Sequence, residues 1–226
     1  MLDLALRPVK ETILLPLVRL IPSTISPDTL TYTGFLIGLS IPLFSALSHS
    51  YFALFAWIIN RLLDGLDGTV ARQRRTQSKW GGYIDIVCDF TVRSRHVSPA
   101  VMGLMSLKQV YSLIPIGVAL CPLSPPSEKT QLPLSLLLAS FHVNNVILFY
   151  LSSALPPSKV DEMTSLRMVP AIIEGSESLV FLTVMILLPR RFCLIASTMA
   201  VAVGVNVVQR SVLAYSAFEK ERGNKS

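Results

Sequence analysis

An all-α fold that crosses a membrane several times is the class this sequence predicts, and three observations predict it. Hydrophobic residues make up 51% of the 226 and charged ones only 15%, with a mean hydropathy of +0.56. That is too apolar for a soluble domain of this length. The apolar residues gather into stretches close to the ~20 residues a helix needs to cross hydrocarbon. Between the stretches stand proline-rich or charged junctions, among them Pro122, Pro125 and Pro126, then Pro156-Pro157, then Pro189-Arg190-Arg191.

Taken in order, residues 1–22 place Leu, Val and Ile at mixed helical spacing, with Arg7, Lys10, Glu11 and Arg19 between them. This predicts an amphipathic helix lying in the membrane interface, and its charges exclude a clean signal peptide. Ser26 and Pro27 are a cap and a first-turn proline for span one, at residues 29–48. Span two covers 51–73, and span three starts near Trp80. The fourth, fifth and sixth spans occupy 131–154, 163–188 and 192–216, before a polar tail at 217–226. Six spans in one domain, residues 1–226, follow, with no internal repeat.

Lys and Arg set the orientation. Thirteen of them, Arg210 included, fall on the side of the N-terminus, against Lys129, Arg190 and Arg191 on the other. Both termini are therefore expected in the cytosol. The net charge of +6 reflects that topology; no basic patch interleaved with aromatics points to a nucleic-acid partner. Three scattered cysteines, Cys88, Cys121 and Cys193, do not make a disulfide framework.

The chemistry lies in Asp64-Gly-Leu-Asp67-Gly68-Thr-Val-Ala71-Arg72, followed after eight residues by Gly81-x3-Asp85-x3-Asp89. Asp64 and Asp67 at i, i+3 share a face of one helix, and Asp85 and Asp89 at i, i+4 share a face of the next. A turn near Gly81-Gly82 would bring the two faces together. Four ionised carboxylates in low dielectric must be protonated, salt-bridged or metal-bound. Hard oxygen donors without a Cys/His set favour Mg2+, Mn2+ or Ca2+ over zinc. Two divalent ions would balance the charge and suit displacement at phosphorus. Gly65 and Gly68 clear room for a phosphate, and Arg72 offers it a planar fork.

The spacing D-x2-D-G-x2-A-R-x8-G-x3-D-x3-D resembles the signature of the CDP-alcohol phosphotransferase family (the class-I phosphatidyltransferases), with every position filled. The resemblance implies transfer of a phosphatidyl group from a CDP-linked lipid, CDP-diacylglycerol in the usual case, to an alcohol acceptor with release of CMP. It implies Mg2+ or Mn2+ as a pair of ions held by Asp64, Asp67, Asp85 and Asp89, and Asp89 as the base that takes the acceptor's proton. Gly68, Ala71, Arg72 and Gly81 would frame the nucleotide and diphosphate. Thr31 would border them, since Ser26-Pro27-Asp28-Thr29-Leu30-Thr31 resembles the opening of span one in that family. A homodimer in membrane lipid is implied too, with the site facing the cytosol and, in a eukaryote, the endoplasmic reticulum or mitochondria as the membrane. The length and the Asp-Ile-Val-Cys-Asp stretch sit nearer the inositol type and the small members than the longer choline or ethanolamine type.

Other polar residues fall inside spans. Arg61 is expected either to pair with an aspartate or to line a polar cavity. Arg167, Glu174 and Glu177 are either an acceptor contact or a salt bridge between spans. His142, Asn144 and Asn145 favour hydrogen bonds between helices. One segment resists the pattern: residues 93–110 would carry Arg93 and Arg95 toward mid-membrane at roughly 2.5–3.5 kcal/mol each. Removing these 18 residues joins Asp89-Phe-Thr-Val92 to Tyr111-Ser-Leu-Ile-Pro115 as one apolar span. A retained intron is the hypothesis; peptides from this stretch in purified protein would refute it. Alternatively, Arg93, Arg95 and His96 line the cavity and bind a phosphorylated acceptor.

Two other classes compete. A divalent-cation transporter would also need intramembrane aspartates, but its usual paired halves with broken helices are missing. A catalytically impaired member serving as a scaffold fits the 93–110 segment and not the intact aspartates.

Overall fold

The computed structural model of the chain describes residues 12–74, 110–154 and 175–223. Its elements are α1 (residues 12–20), α2 (Pro27–Ala46), α3 (Ser50–Gln73), α4 (Val110–Ala119), α5 (Ser127–Ala154), α6 (Gly175–Leu187), a 3-10 turn (Pro189–Arg191) and α7 (Phe192–Gly223). Every regular element among the described residues is helical, as the composition predicts. Pro27–Ala46, Ser127–Leu148 and Pro189–Ser216 are long and apolar enough to cross a membrane. α3 matches the predicted second span, but the charges at its end, Arg61 to Arg72, dilute its apolar character. The start of span three, the first part of span five, residues 1–11 and most of 93–110 lie outside the described residues.

Span one begins where its capping chemistry places it. The Ser26 hydroxyl accepts the Thr29 amide N–H at 3.1 Å, with Pro27 in the first turn. It ends at Leu47 with two bonds that close the last turn: Ser48 N–H to the Ser45 carbonyl at 3.0 Å and His49 N–H to the Phe44 carbonyl at 2.8 Å. Ser48 takes the left-handed conformation this motif demands, with φ 64°. The chain thereby reverses into α3 within three residues.

Small residues then let α2 take neighbours on two sides. Gly34 faces α3, where an added Cβ would lie 3.3 Å from the Leu63 Cβ; Gly117 of α4 sits so close to Pro42 that a Cβ would come within 2.4 Å of its backbone. Backbone-to-backbone approach through small residues is how helices pack without a hydrophobic drive between them.

Apolar packing separates into two main clusters. One joins Ile41 of α2, Ala53 and Trp57 of α3, Ile114 of α4, Leu137 of α5, Met185 of α6 and Met199 of α7. The other joins Leu14 and Val18 of α1 to Leu30 of α2 and Leu66 and Val70 of α3. Between them α3 carries Asn60, Arg61 and Asp64. Large apolar side chains also point outward, such as Leu36 and Leu43 on α2, Phe52 and Phe55 on α3, and Val201 and Val208 on α7. In water such a surface would aggregate, whereas lipid is a suitable neighbour for it.

Candidate metal and diphosphate site

α3 delivers the first half of the aspartate signature as one helix. Asp64, Asp67, Gly68, Ala71 and Arg72 all belong to its last three turns, as their spacing predicts. Asp67 is buried, at 5% exposure. Its Oδ2 accepts the Thr31 hydroxyl at 2.6 Å, and its Oδ1 lies 2.5 Å from the Gly68 amide N. Thr31 is therefore more than a border to the site: it reaches from α2 and holds one of the predicted ligands. The same hydroxyl lies 3.2 Å from the Pro27 carbonyl.

Asp64 is the more open carboxylate, its side chain 25% exposed, and its Oδ2 stands 3.4 Å from Arg61 Nη1. Of the two expectations for Arg61, pairing with an aspartate is the one that holds. Arg72 folds back along the helix, where Nη2 donates to the Thr69 hydroxyl at 3.2 Å. A Cβ on Gly68 would stand 3.3 Å from Arg72 Nη1, so the glycine keeps that fork against the helix. Ala71, one turn beyond Asp67, is half-buried.

Gly81, Asp85 and Asp89 lie outside the described residues. Among the described residues no group of three or more His, Cys, Asp or Glu comes together. The donors that are placed, two carboxylates one turn apart with an arginine fork one turn further on, fit a hard divalent ion and a phosphate. They supply half of a four-carboxylate set.

Three features escaped the sequence. The Tyr111 hydroxyl of α4 accepts from Arg61 Nη1 at 2.5 Å, a contact across fifty residues that no local pattern signals. Arg74, counted only as a surface charge, donates Nη1 to the Ile25 carbonyl at 2.6 Å and Nη2 to Ile21 and Pro22 at 3.0 and 3.1 Å. It ties the connection after α1 to the end of α3. Arg210, counted only in the charge asymmetry between the two sides, is buried in α7 at 4% exposure, with Nη1 on Asn144 Oδ1 at 2.7 Å. Helical spacing from Asn206 could have signalled an inward face. Asn144 does make the interhelical bond expected of it.

Comparison with known proteins addresses the same stretch. The family model described as CDP-alcohol phosphatidyltransferase matches residues 24–125. "Inner membrane protein YnjF" of Escherichia coli (strain K12) is 45% identical over 91 residues, which is 40% of this chain and 44% of that protein. The "Bifunctional IPC transferase and DIPP synthase" of Thermococcus kodakarensis is 30% identical over 105 residues, 46% of this chain and 23% of that protein. The chain thus spans less than half the length of these curated relatives. No solved structure matches it. The signature aspartates fall inside this matched stretch, so residues 24–125 are similar to a CDP-alcohol phosphatidyltransferase domain.

Proposed function

We propose that this chain is an integral membrane enzyme that transfers a phosphatidyl group from CDP-diacylglycerol to an alcohol acceptor and releases CMP, as a step in phospholipid synthesis. The observation that carries the proposal is the pairing of Asp64 and Asp67 on α3 beside Arg72, inside the family-matched stretch. The outward apolar surface and three membrane-length helices support a lipid setting. So does the name of the Escherichia coli relative as an inner membrane protein. In this reading residues 1–226 form one domain of six spans after an interfacial helix, as a homodimer, with the site open to the cytosol.

The reaction assigns each residue a task. Asp64, Asp67, Asp85 and Asp89 would hold two divalent ions, Mg2+ or Mn2+, which when bound would supply positive charge to the diphosphate. Thr31 keeps the Asp67 carboxylate turned toward the site. Arg72 and Gly81, with the space left at Gly68 and Ala71, frame the nucleotide. Asp89 takes the proton of the acceptor hydroxyl, whose oxygen bonds to the phosphorus that carries the lipid. The bond from that phosphorus to the bridging oxygen breaks, and CMP leaves with the electron pair.

The test is CMP release by the purified chain in detergent with Mg2+ or Mn2+. CDP-diacylglycerol and a water-soluble CDP-alcohol are offered separately, with inositol, inositol phosphate, glycerol phosphate and serine as acceptors. Release that depends on metal, on one acceptor and on Asp89, read against Asp89→Asn, establishes the reading. Activity with only the soluble donor would replace the lipid substrate with a water-soluble CDP-alcohol. A chain that is active only after deletion of residues 93–110 would support the intron hypothesis. Silence in every arm would leave a scaffold or a divalent-cation transporter.

A further inference from the structure

We infer that Arg61 is a resident counter-cation of the aspartate site, mounted on aromatic rings so that its charge sets how tightly a divalent ion binds at Asp64. This deepens the proposed function and rests on its assignment of Asp64 as a metal ligand. The guanidinium carbon lies 4.9 Å from the Trp57 ring and 4.8 Å from the Tyr111 ring. The two rings meet edge to face at 90° and 5.7 Å. Arg61 Nε and Nη2 both donate to Asn60 Oδ1, at 2.9 and 2.7 Å. Nη1 reaches the Tyr111 hydroxyl at 2.5 Å and Asp64 Oδ2 at 3.4 Å.

The mount is itself anchored. Asn60 Nδ2 donates to the Gly34 carbonyl of α2 at 2.8 Å, and Trp57 Nε1 donates to the Thr183 hydroxyl of α6 at 2.9 Å. Four helices thus converge on one cation whose side chain is only 13% exposed.

An arginine within a span is commonly a structural strut. Here, however, Asp64 is the longest of the polar contacts given above, so it is not what holds the arginine in place. Asp64 can turn toward an incoming ion while the positive charge stays where the rings and Asn60 keep it. Without metal that charge offsets the carboxylate. With metal present it opposes the ion and weakens binding. Tyr111 and Asp64 share Nη1, so removing the tyrosine hydroxyl leaves that donor to Asp64 and strengthens the pair. The two halves of the mount therefore act on metal affinity with opposite sign.

The experiment is Mn2+ binding to the purified full chain in lipid nanodiscs without substrate, read as free Mn2+ by electron paramagnetic resonance. Melting temperatures are taken on the same samples. Arg61→Gln is expected to bind Mn2+ about tenfold more tightly, by loss of the opposing charge. Arg61→Lys restores affinity to within about threefold of the parent, and Tyr111→Phe weakens it about threefold. Affinities that do not move, or that move the same way in Arg61→Gln and Tyr111→Phe, overturn the inference and leave a strut. If Arg61→Gln does not fold, Tyr111→Phe decides by itself, since a strut predicts no weakening. A parent chain that binds no Mn2+ would overturn the metal assignment, and this inference with it. Parental binding with unshifted variants would sink this inference alone.

Discussion

Two arginines, Arg61 half-buried and Arg210 buried, mark two kinds of interior in this molecule. Arg61 on α3 stands against rings, an amide and a carboxylate that is itself a quarter exposed. Arg210 on α7 is nearly sealed, and the neighbour it grips on α5 is the neutral amide of Asn144. Both stand on helices rich in apolar residues, so both incur a desolvation cost. At α3 the polar group is left reachable beside a second carboxylate, where an ion and a phosphate can approach. At α7 the charge is enclosed between two long apolar helices, where it locks their register.

Substitutions in the two regions should therefore separate activity from stability. The largest effect is expected at Asp67: Asp67→Asn keeps the shape but loses a ligand charge. CMP release should fall by roughly a thousandfold, in line with loss of several kcal/mol of transition-state stabilisation, at a melting temperature within a few degrees of the parent. A coincident collapse of both would instead class Asp67 with Arg210. Next comes Thr31→Val, which removes the hydroxyl that orients Asp67. Loss of such a supporting contact should lower activity by about 10–100-fold and raise the half-saturating metal concentration. An unchanged metal requirement would show that Thr31 supports the helix pair and not the ligand.

Packing predictions follow at smaller scale. Gly117→Ala forces a Cβ into the Pro42 backbone and should cost up to about 3 kcal/mol, visible as a lower melting temperature in detergent. Asn144→Leu strips a partner from Arg210 and should cost about 1–2 kcal/mol. Its CMP release per folded molecule should match the parent. If it does not, Arg210 belongs to the site and the contrast between the two regions fails.

Much of this was legible in advance because the signals are local. Ser26 and Pro27 announced the start of α2 by capping chemistry alone. The i, i+3 pair at Asp64 and Asp67 needed only a helix, which the apolar run of α3 supplied. Spacing could not reveal the groups that complete the polar layer. Thr31 meets Asp67 across 36 residues and Tyr111 meets Arg61 across 50. The inward orientation of Arg210 went unread for a related reason. A charge near the end of a long apolar helix looks the same in sequence whether it faces water or a neighbouring helix.

By itself, then, the sequence determined an all-helical chain with membrane-length spans and a family signature whose first half lies on one helix. Those follow from hydropathy, caps and helical period, which act within a few turns. Only the tertiary structure decided which side chains hold Asp67, what keeps Arg61 in place, and that Arg210 faces inward. Such choices depend on how closely α2, α4 and α6 approach α3, and α5 approaches α7. Small residues set such approaches, Gly34 that of α2 to α3 and Gly117 that of α4 to α2, and their effect is expressed only when two helices meet.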